Sequence, residues 1–154
     1  MNYNIRAAIA DDKTQAMALL PELADFTVPD YRNPDHLWQG DAKLLEQFFS
    51  GSTPDTEALV AVDADANLHG IAIYTMRSEM LSGESSAHLE VLAVGPNSRR
   101  SGIGQALINA TEAAASARGA KSLTLHVFAN NTRARAVYQS SGFTEELLRC
   151  YKAL

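Results

Sequence analysis

Between Leu89 and Gly104 the chain reads Leu-Glu-Val-Leu-Ala-Val-Gly-Pro-Asn-Ser-Arg-Arg-Ser-Gly-Ile-Gly: an apolar run, a proline-marked turn and an Arg/Gly loop that opens into a helical pattern. Arg99, Arg100, Ser101, Gly102, Ile103 and Gly104 thus stand where a strand hands over to a helix. A helix N-terminus offers unpaired N–H groups and roughly half a positive charge, and glycine lets an anion approach the backbone closely. This order of residues builds an anion site and points to a phosphorylated cofactor.

The elements around the loop must hold it in place. Ile103, Leu107, Ala110, Ala114 and Ala117 recur at helical spacing, and Gly119 sits where a left-handed C-cap belongs. The helix is rich in alanine, which lets it lie close against a sheet. The preceding apolar run, about Ser86 to Val94, predicts a strand. Ser122 to Phe128 predicts another, with Leu123, Leu125 and Val127 on one face and Thr124, His126 and Phe128 on the other. A full helix separates the two, so they can run parallel as a strand-helix-strand unit.

Upstream, Tyr3 to Ala8 predicts a short strand, and Asp11 or Asp12 a helix start with Ala16, Leu19, Leu20 and Leu23 inward. Pro21 to Asp41 is expected to be an acidic loop. A short helix is predicted from Asp41, with Leu44, Leu45, Phe48 and Phe49 inward. Glu57 to Val62 and Leu68 to Met76, joined by a short polar turn, predict an antiparallel hairpin. The last helix is predicted from about Asn131 to Ser141, stopped by Gly142, and Glu145 to Ala153 is expected to close the sheet as a strand.

The chain has 154 residues and a formal net charge of −5, which suits one domain, 1–154, and disfavours a protein that works by coating nucleic acid or anionic lipid. No apolar run approaches the roughly 20 residues needed to cross a bilayer, and no charged-then-apolar leader opens the chain, so a cytoplasmic location is expected. The single cysteine, Cys150, is expected to be a buried or edge packing residue. His36, His69, His88 and His126 show no ligand spacing, so no metal is predicted.

The order of elements and two motifs resemble the GNAT superfamily of N-acetyltransferases, which move an acyl group from acyl-coenzyme A to an amine. Arg99, Gly102 and Gly104 fit that family's Arg/Gln-x-x-Gly-x-Gly/Ala loop. Asn131, Ala134, Tyr138, Gly142 and Phe143 fit its later Asn-x-x-Ala-x-x-x-Tyr-x-x-x-Gly-Phe signature. The resemblance implies an α/β (α+β) fold: a mixed, mostly antiparallel twisted sheet with a central parallel strand pair, flanked by helices. It implies acetyl-CoA as cosubstrate, with the backbone of Arg100 to Gly104 and Gln105 on the pyrophosphate. Leu92, Ala93 and Val94 would hold the pantetheine arm, with Asn131 and Ala134 beside it. A bulge that splays the parallel strands would make the room. Ser98, Arg100 and Ser101 depart from the family's commonest choices of an aromatic, a glycine and a base.

An amine near pKa 10 must lose a proton before attack, which at neutral pH costs about 4 kcal/mol. Glu90, in the apolar strand on a face expected to include His88, Leu92 and Val94, is the candidate base. His126 competes, since a histidine ordinarily exchanges protons near neutral pH. The resemblance makes Tyr138 the acid that protonates the departing thiolate, and backbone N–H groups near Leu92 to Val94 would polarise the thioester carbonyl. Tyr31, His36, Trp38 and the neighbouring acids are the candidate wall for a cationic acceptor.

The expected activity is therefore acetyl transfer to a primary amine of a small molecule by direct attack in a ternary complex. The alternatives are a protein or peptide N-acetyltransferase of the same fold and a non-catalytic acyl-CoA-binding module. A homodimer stays open, dimers being common in the family. A dinucleotide-binding domain fits poorly, for want of a third glycine and a properly placed acid.

Overall fold

The computed structural model describes residues 2–154. Five strands form one sheet in the order β1-β2-β3-β4-β5: Asn4–Ala7, Thr56–Val62, Leu68–Ser78, Ser85–Val94 and Leu123–Leu125. The first four pair antiparallel, and β4 pairs with β5 in parallel. Helix α1 (Lys13–Leu19), the turn that follows it and α2 (His36–Phe49) supply Ala16, Leu20 and Leu45 to one face, against Val60, Ile71, Ile73, Val91 and Ala93. Helix α3 (Ile103–Ala117) covers the other, packing Ile103 and Leu107 on Ala61, Ala72 and Leu89; Tyr138 of α4 (Thr132–Ser140) joins that cluster. This is the mixed, helix-flanked sheet expected, although its parallel pair lies at the sheet's margin.

The close approach of α3 depends on Gly70 of β3. A Cβ there would meet Ile103 Cγ2 at 2.8 Å and Leu107 Cδ1 at 3.0 Å. Any side chain would push the helix, and the loop that begins it, away from the sheet.

Four local expectations are corrected. Helix α2 begins at His36, five residues before Asp41. Asn33 accepts the N–H of Asp35 at 3.0 Å and Pro34 has no N–H to satisfy, so this Asn-Pro pair, not Asp41, starts the helix. Asp12 does not cap α1 with its side chain; it is buried, accepts the Ile9 N–H at 2.8 Å and binds Arg6 at 2.7 Å. Pro21 then turns the chain into the tighter helix Leu20–Ala24. Strand β5 spans only Leu123–Leu125, because it leaves β4 after Leu125.

The fourth concerns residues 145–153, which form no strand. Side chains hold this segment: Arg135 grips Glu145 at 2.7 and 2.9 Å, and Tyr151 stacks on Tyr31 with centroids 4.6 Å apart. A three-residue edge at β5 offers little ladder to join. Cys150 is accordingly exposed rather than buried or packed at an edge. No helix among the described residues is long and apolar enough to cross a membrane.

Candidate active site

The chemistry-bearing part of the sheet is set by one irregularity. Ile73 pairs with Val91, but the next residue of β3, Tyr74, pairs with Leu89, so Glu90 is an extra residue in β4. Such a bulge breaks the alternation of side chains. Leu89 faces α3, Val91 and Ala93 face α1 and α2, and Leu92 and Val94 return to the α3 side. His88, across from Thr75, therefore lies on the face opposite Leu92 and Val94. The expected common face for those residues with Glu90 does not exist, because a period-two reading assumes an unbroken strand.

Beyond the bulge the parallel pair parts. The β4–β5 ladder runs from Ala87–Leu123 to Leu89–Leu125 and stops. A cavity of about 800 Å³ opens between Glu90, Leu92, Ala93 and Val94 on one side and His126, Val127 and Phe128 on the other. Arg99, Arg100, Gly102, Ile103, Gly104 and Gln105 line its α3 end; Asn131, Ala134 and Tyr138 line the α4 side. Ser101 is not on the wall; its hydroxyl donates to the Ser98 carbonyl.

The anion loop has the backbone its residues require. Gly102 is left-handed at φ +82° and serves as N-cap of α3, a conformation glycine adopts without penalty. Arg100 is also left-handed, at φ +61°, where the family's common glycine would rest more easily. A Cβ on Gly104 would lie 3.8 Å from Val94, so α3 starts in contact with the end of β4. Helix terminus, glycine backbone and parted strands together make a cradle that fits a phosphorylated, extended cosubstrate.

Several side chains expected at the cofactor have partners within the protein. Arg99 is bound by Glu22 at 2.7 Å and by Asp25, which leaves Arg100 as the loop arginine without an ion pair among the described residues. Asp25 also meets Arg133 of α4, through its carbonyl at 2.9 Å, and Asn130 donates to the Thr27 carbonyl at 2.6 Å. Residues 22–27 thereby strap the cavity's rim. Gln105 accepts from Ser141 at 2.8 Å and donates to Asn109 at 3.0 Å. Asn131 caps α4, accepting the Ala134 N–H at 3.2 Å.

Two groups on the cavity wall are shifted by their surroundings. Burial pushes the Tyr138 phenol up to about 12. Burial, and then the charge of Glu90, push Asp41 up to about 6. Asp41 and Leu37 of α2 line the cavity, whereas Tyr31, His36 and Trp38 do not. Trp38 packs against the core and Tyr31 stacks on Tyr151. Of the expected acceptor wall, the aromatic and histidine side chains stay off the cavity while neighbouring acids line it: α2 presents Asp41, which the sequence offered both as a helix start and among those acids. Helical spacing from Leu37 to Asp41, i to i+4, was the available signal. His126 lines the cavity; His88 lies behind it, bonded to Thr124 at 2.7 Å with its ring 4.8 Å from that of His126.

A mixed sheet that opens beside a helix N-terminus, with a carboxylate on the bulge and a tyrosine across the gap, has the architecture of an acetyltransferase. Residues 20–143 match the acetyltransferase (GNAT) family, and the chain belongs to it. It is an acyltransferase of that type. The chain is 32% identical over 124 residues to aminoglycoside N(6')-acetyltransferase type 1 of Klebsiella aerogenes, over 77% of this chain and 81% of that protein. Among solved structures, it superposes on aminoglycoside antibiotic 6'-N-acetyltransferase AAC(6')-Ih of Acinetobacter baumannii with a TM-score of 0.74, at 22% identity and 99% coverage of both chains. AAC(6')-Iy, solved with the bisubstrate analogue CoA-S-monomethyl-acetylneamine, superposes with a TM-score of 0.75 at 22% identity, covering 100% of this chain and 99% of that one.

Proposed function

We propose that this acetyltransferase, acting as one domain, moves the acetyl group of acetyl-CoA to a primary amine of a small, cationic molecule by direct attack in a ternary complex. The observation that carries this reading is the carboxylate pair Glu90 and Asp41 on the wall of the cavity that the bulge opens. Glu22 and Asp25 at the rim are matched by Arg99, so the unpaired acidity of the wall is that of Asp41 and Glu90. A polyamine or aminosugar suits such a wall better than a neutral or acidic acceptor, and the Klebsiella relative is named for an aminoglycoside.

Glu90 takes the proton that the substrate ammonium must lose. The freed nitrogen attacks the thioester carbonyl carbon, whose oxygen is met by backbone N–H groups near Leu92 to Val94. Tyr138 then donates a hydrogen bond, and finally its proton, to the sulfur as the C–S bond breaks, and the phenolate takes the second proton that the acylated nitrogen must lose. With the phenol at about 12 and an alkyl thiol near 8.5, complete transfer is uphill by about 5 kcal/mol, so hydrogen bonding to the sulfur is Tyr138's larger contribution. The backbone of Arg100, Gly102 and Gly104 holds the pyrophosphate, and Leu92, Ala93, Val94, Asn131 and Ala134 border the pantetheine arm.

Acetyl-CoA binding by calorimetry, with thiol release over polyamines, aminoglycosides, amino acids and N-terminal peptides, tests this reading. Turnover confined to multiply charged small amines is expected. Turnover on peptides alone would replace it with a protein acetyltransferase, and binding without any turnover with an acyl-CoA-binding module. Glu90→Gln should flatten the acid limb of the pH–rate profile; a limb that persists transfers the base role to His126.

A further inference from the structure

His69 of β3 joins two parts of the chain for which acetyl transfer itself has no use. Its Nε2 lies 2.9 Å from Asp63 Oδ2 and its Nδ1 2.8 Å from Ser98 Oγ. Asp63 is itself anchored in the β2–β3 turn, where Oδ1 accepts the N–H groups of Asp65 and Asn67, both at 2.9 Å, and Oδ2 the Asn67 amide at 3.0 Å. These bonds, the one from His69 foremost, hold the carboxyl far below the usual carboxylate range. An ionised Asp63 has no proton to give, so Nε2 donates to it. In the neutral ring Nδ1 then accepts from the Ser98 hydroxyl.

Ser98 is 4% exposed and ends the short helix Pro96–Ser98 that delivers the chain into the anion loop. Its N–H bonds the Gly95 carbonyl at 2.9 Å, the Gly95 N–H returns to the His69 carbonyl at 2.9 Å, and its own carbonyl accepts the Ser101 hydroxyl. A continuous line of hydrogen bonds thus runs from the hairpin turn to the residue before Gly102. The loop beyond Ser98 needs restraint. Arg100 and Gly102 are both left-handed, and a residue with a Cβ persists there only where its surroundings hold it. The Ser-His-Asp set is not read as a nucleophilic triad, since Ser98 is nearly sealed and sits at the loop end of the cavity.

We propose that His69, backed by Asp63, is a positioning residue: through Ser98 it locks the Arg99–Gly104 loop in the form that aims its N–H groups at the phosphates of coenzyme A. This rests on the reading of that loop as the pyrophosphate site. The test compares wild type with His69→Phe, Ser98→Ala and the double variant. Hydrogen exchange of the Ser98 and Ala106 amides, which bond the Gly95 and Gly102 carbonyls at the two ends of the loop, is read in ligand-free protein, coenzyme A affinity by calorimetry, and kcat at saturating acetyl-CoA.

Each single variant should speed loop exchange and weaken coenzyme A binding by about tenfold, with kcat held within about twofold and the β3 amides unchanged. The double variant should be no worse than His69→Phe, because both act on one chain of bonds. Ser98→Ala removes a single atom and keeps the test open if His69→Phe folds poorly. Unchanged loop exchange, or losses that multiply in the double variant, would overturn the proposal. A wild type that binds no coenzyme A would overturn the cofactor reading instead, and exchange measured without ligand tells the two failures apart.

Discussion

Asp41 on α2 and Glu90 on the β4 bulge turn their carboxyl groups to the same cavity, and Asp41 carries the strain of the pairing. Burial first, and the charge of Glu90 second, raise it from 3.8 to about 6. Under the proposed function, a substrate ammonium between them would relieve both the desolvation and the repulsion.

The same shift has a signature in stability. A carboxyl whose folded pKa is raised stabilises the protein fully below the unfolded value and loses that contribution as pH rises through the folded one. For a rise from 3.8 to about 6, the contribution lost by neutral pH is about 3 kcal/mol. Asp41→Asn should therefore be more stable than wild type at pH 8 and equal to it near pH 3.5. Urea unfolding at both values checks this, and equal stability at pH 8 would remove the strain from Asp41.

His88 should impose the opposite slope. Burial foremost, then the charges of Arg77 and His126, lower it from 6.5 to about 4. A depressed histidine stabilises fully above its unfolded pKa, and that contribution falls away as pH drops through the folded value, by about 3 kcal/mol in all. Replacing His88 by Gln, which can still meet Thr124, should abolish the decline between pH 6.5 and 4. With Asp41 intact the two slopes partly cancel in wild type, so the variants must be measured singly and together.

Tyr138→Phe removes a hydroxyl and leaves the ring that packs edge-on to Phe143 at 5.8 Å. Turnover should fall by about a hundredfold with coenzyme A affinity nearly unchanged. Because the phenol lies at about 12, wild-type turnover should show no alkaline decline from this group below pH 10. Stopped-time thiol assays over pH 6 to 10 measure both effects.

Arg100 at φ +61° tests the loop's backbone. Arg100→Gly trades relief of the left-handed strain against greater freedom in the unfolded chain, so stability should change by less than about 1 kcal/mol. Arg100→Val places a β-branched side chain at the same angle and should cost about 2 kcal/mol more than glycine. Thermal melts distinguish them, and equal melting of the two variants would show that the left-handed turn is not retained.

The elements that frame the proposed cofactor end were legible along the chain because they are written in local terms. A strand, an Arg/Gly loop and an alanine-rich helix are consecutive, and glycine positions and helical periodicity report on neighbours a few residues apart. The acceptor end was less legible. Tyr31, His36 and Trp38 looked suitable by type, yet Asn33 and Pro34 start α2 early and rotate Asp41 and Leu37 into the cavity instead.

Residue order by itself determined the strand, loop and helix around the proposed donor site, the family, and the choice of Glu90 and Tyr138 as reactive candidates. Tertiary structure alone decided where the bulge falls, which side of the sheet each residue after Leu89 faces, that Arg99 is held by Glu22 and Asp25, and that residues 145–153 join no ladder. The physical reason is register. An extra residue in one strand is defined only against its partner strand, and the charge environment of a carboxylate only by side chains that arrive from elsewhere in the chain.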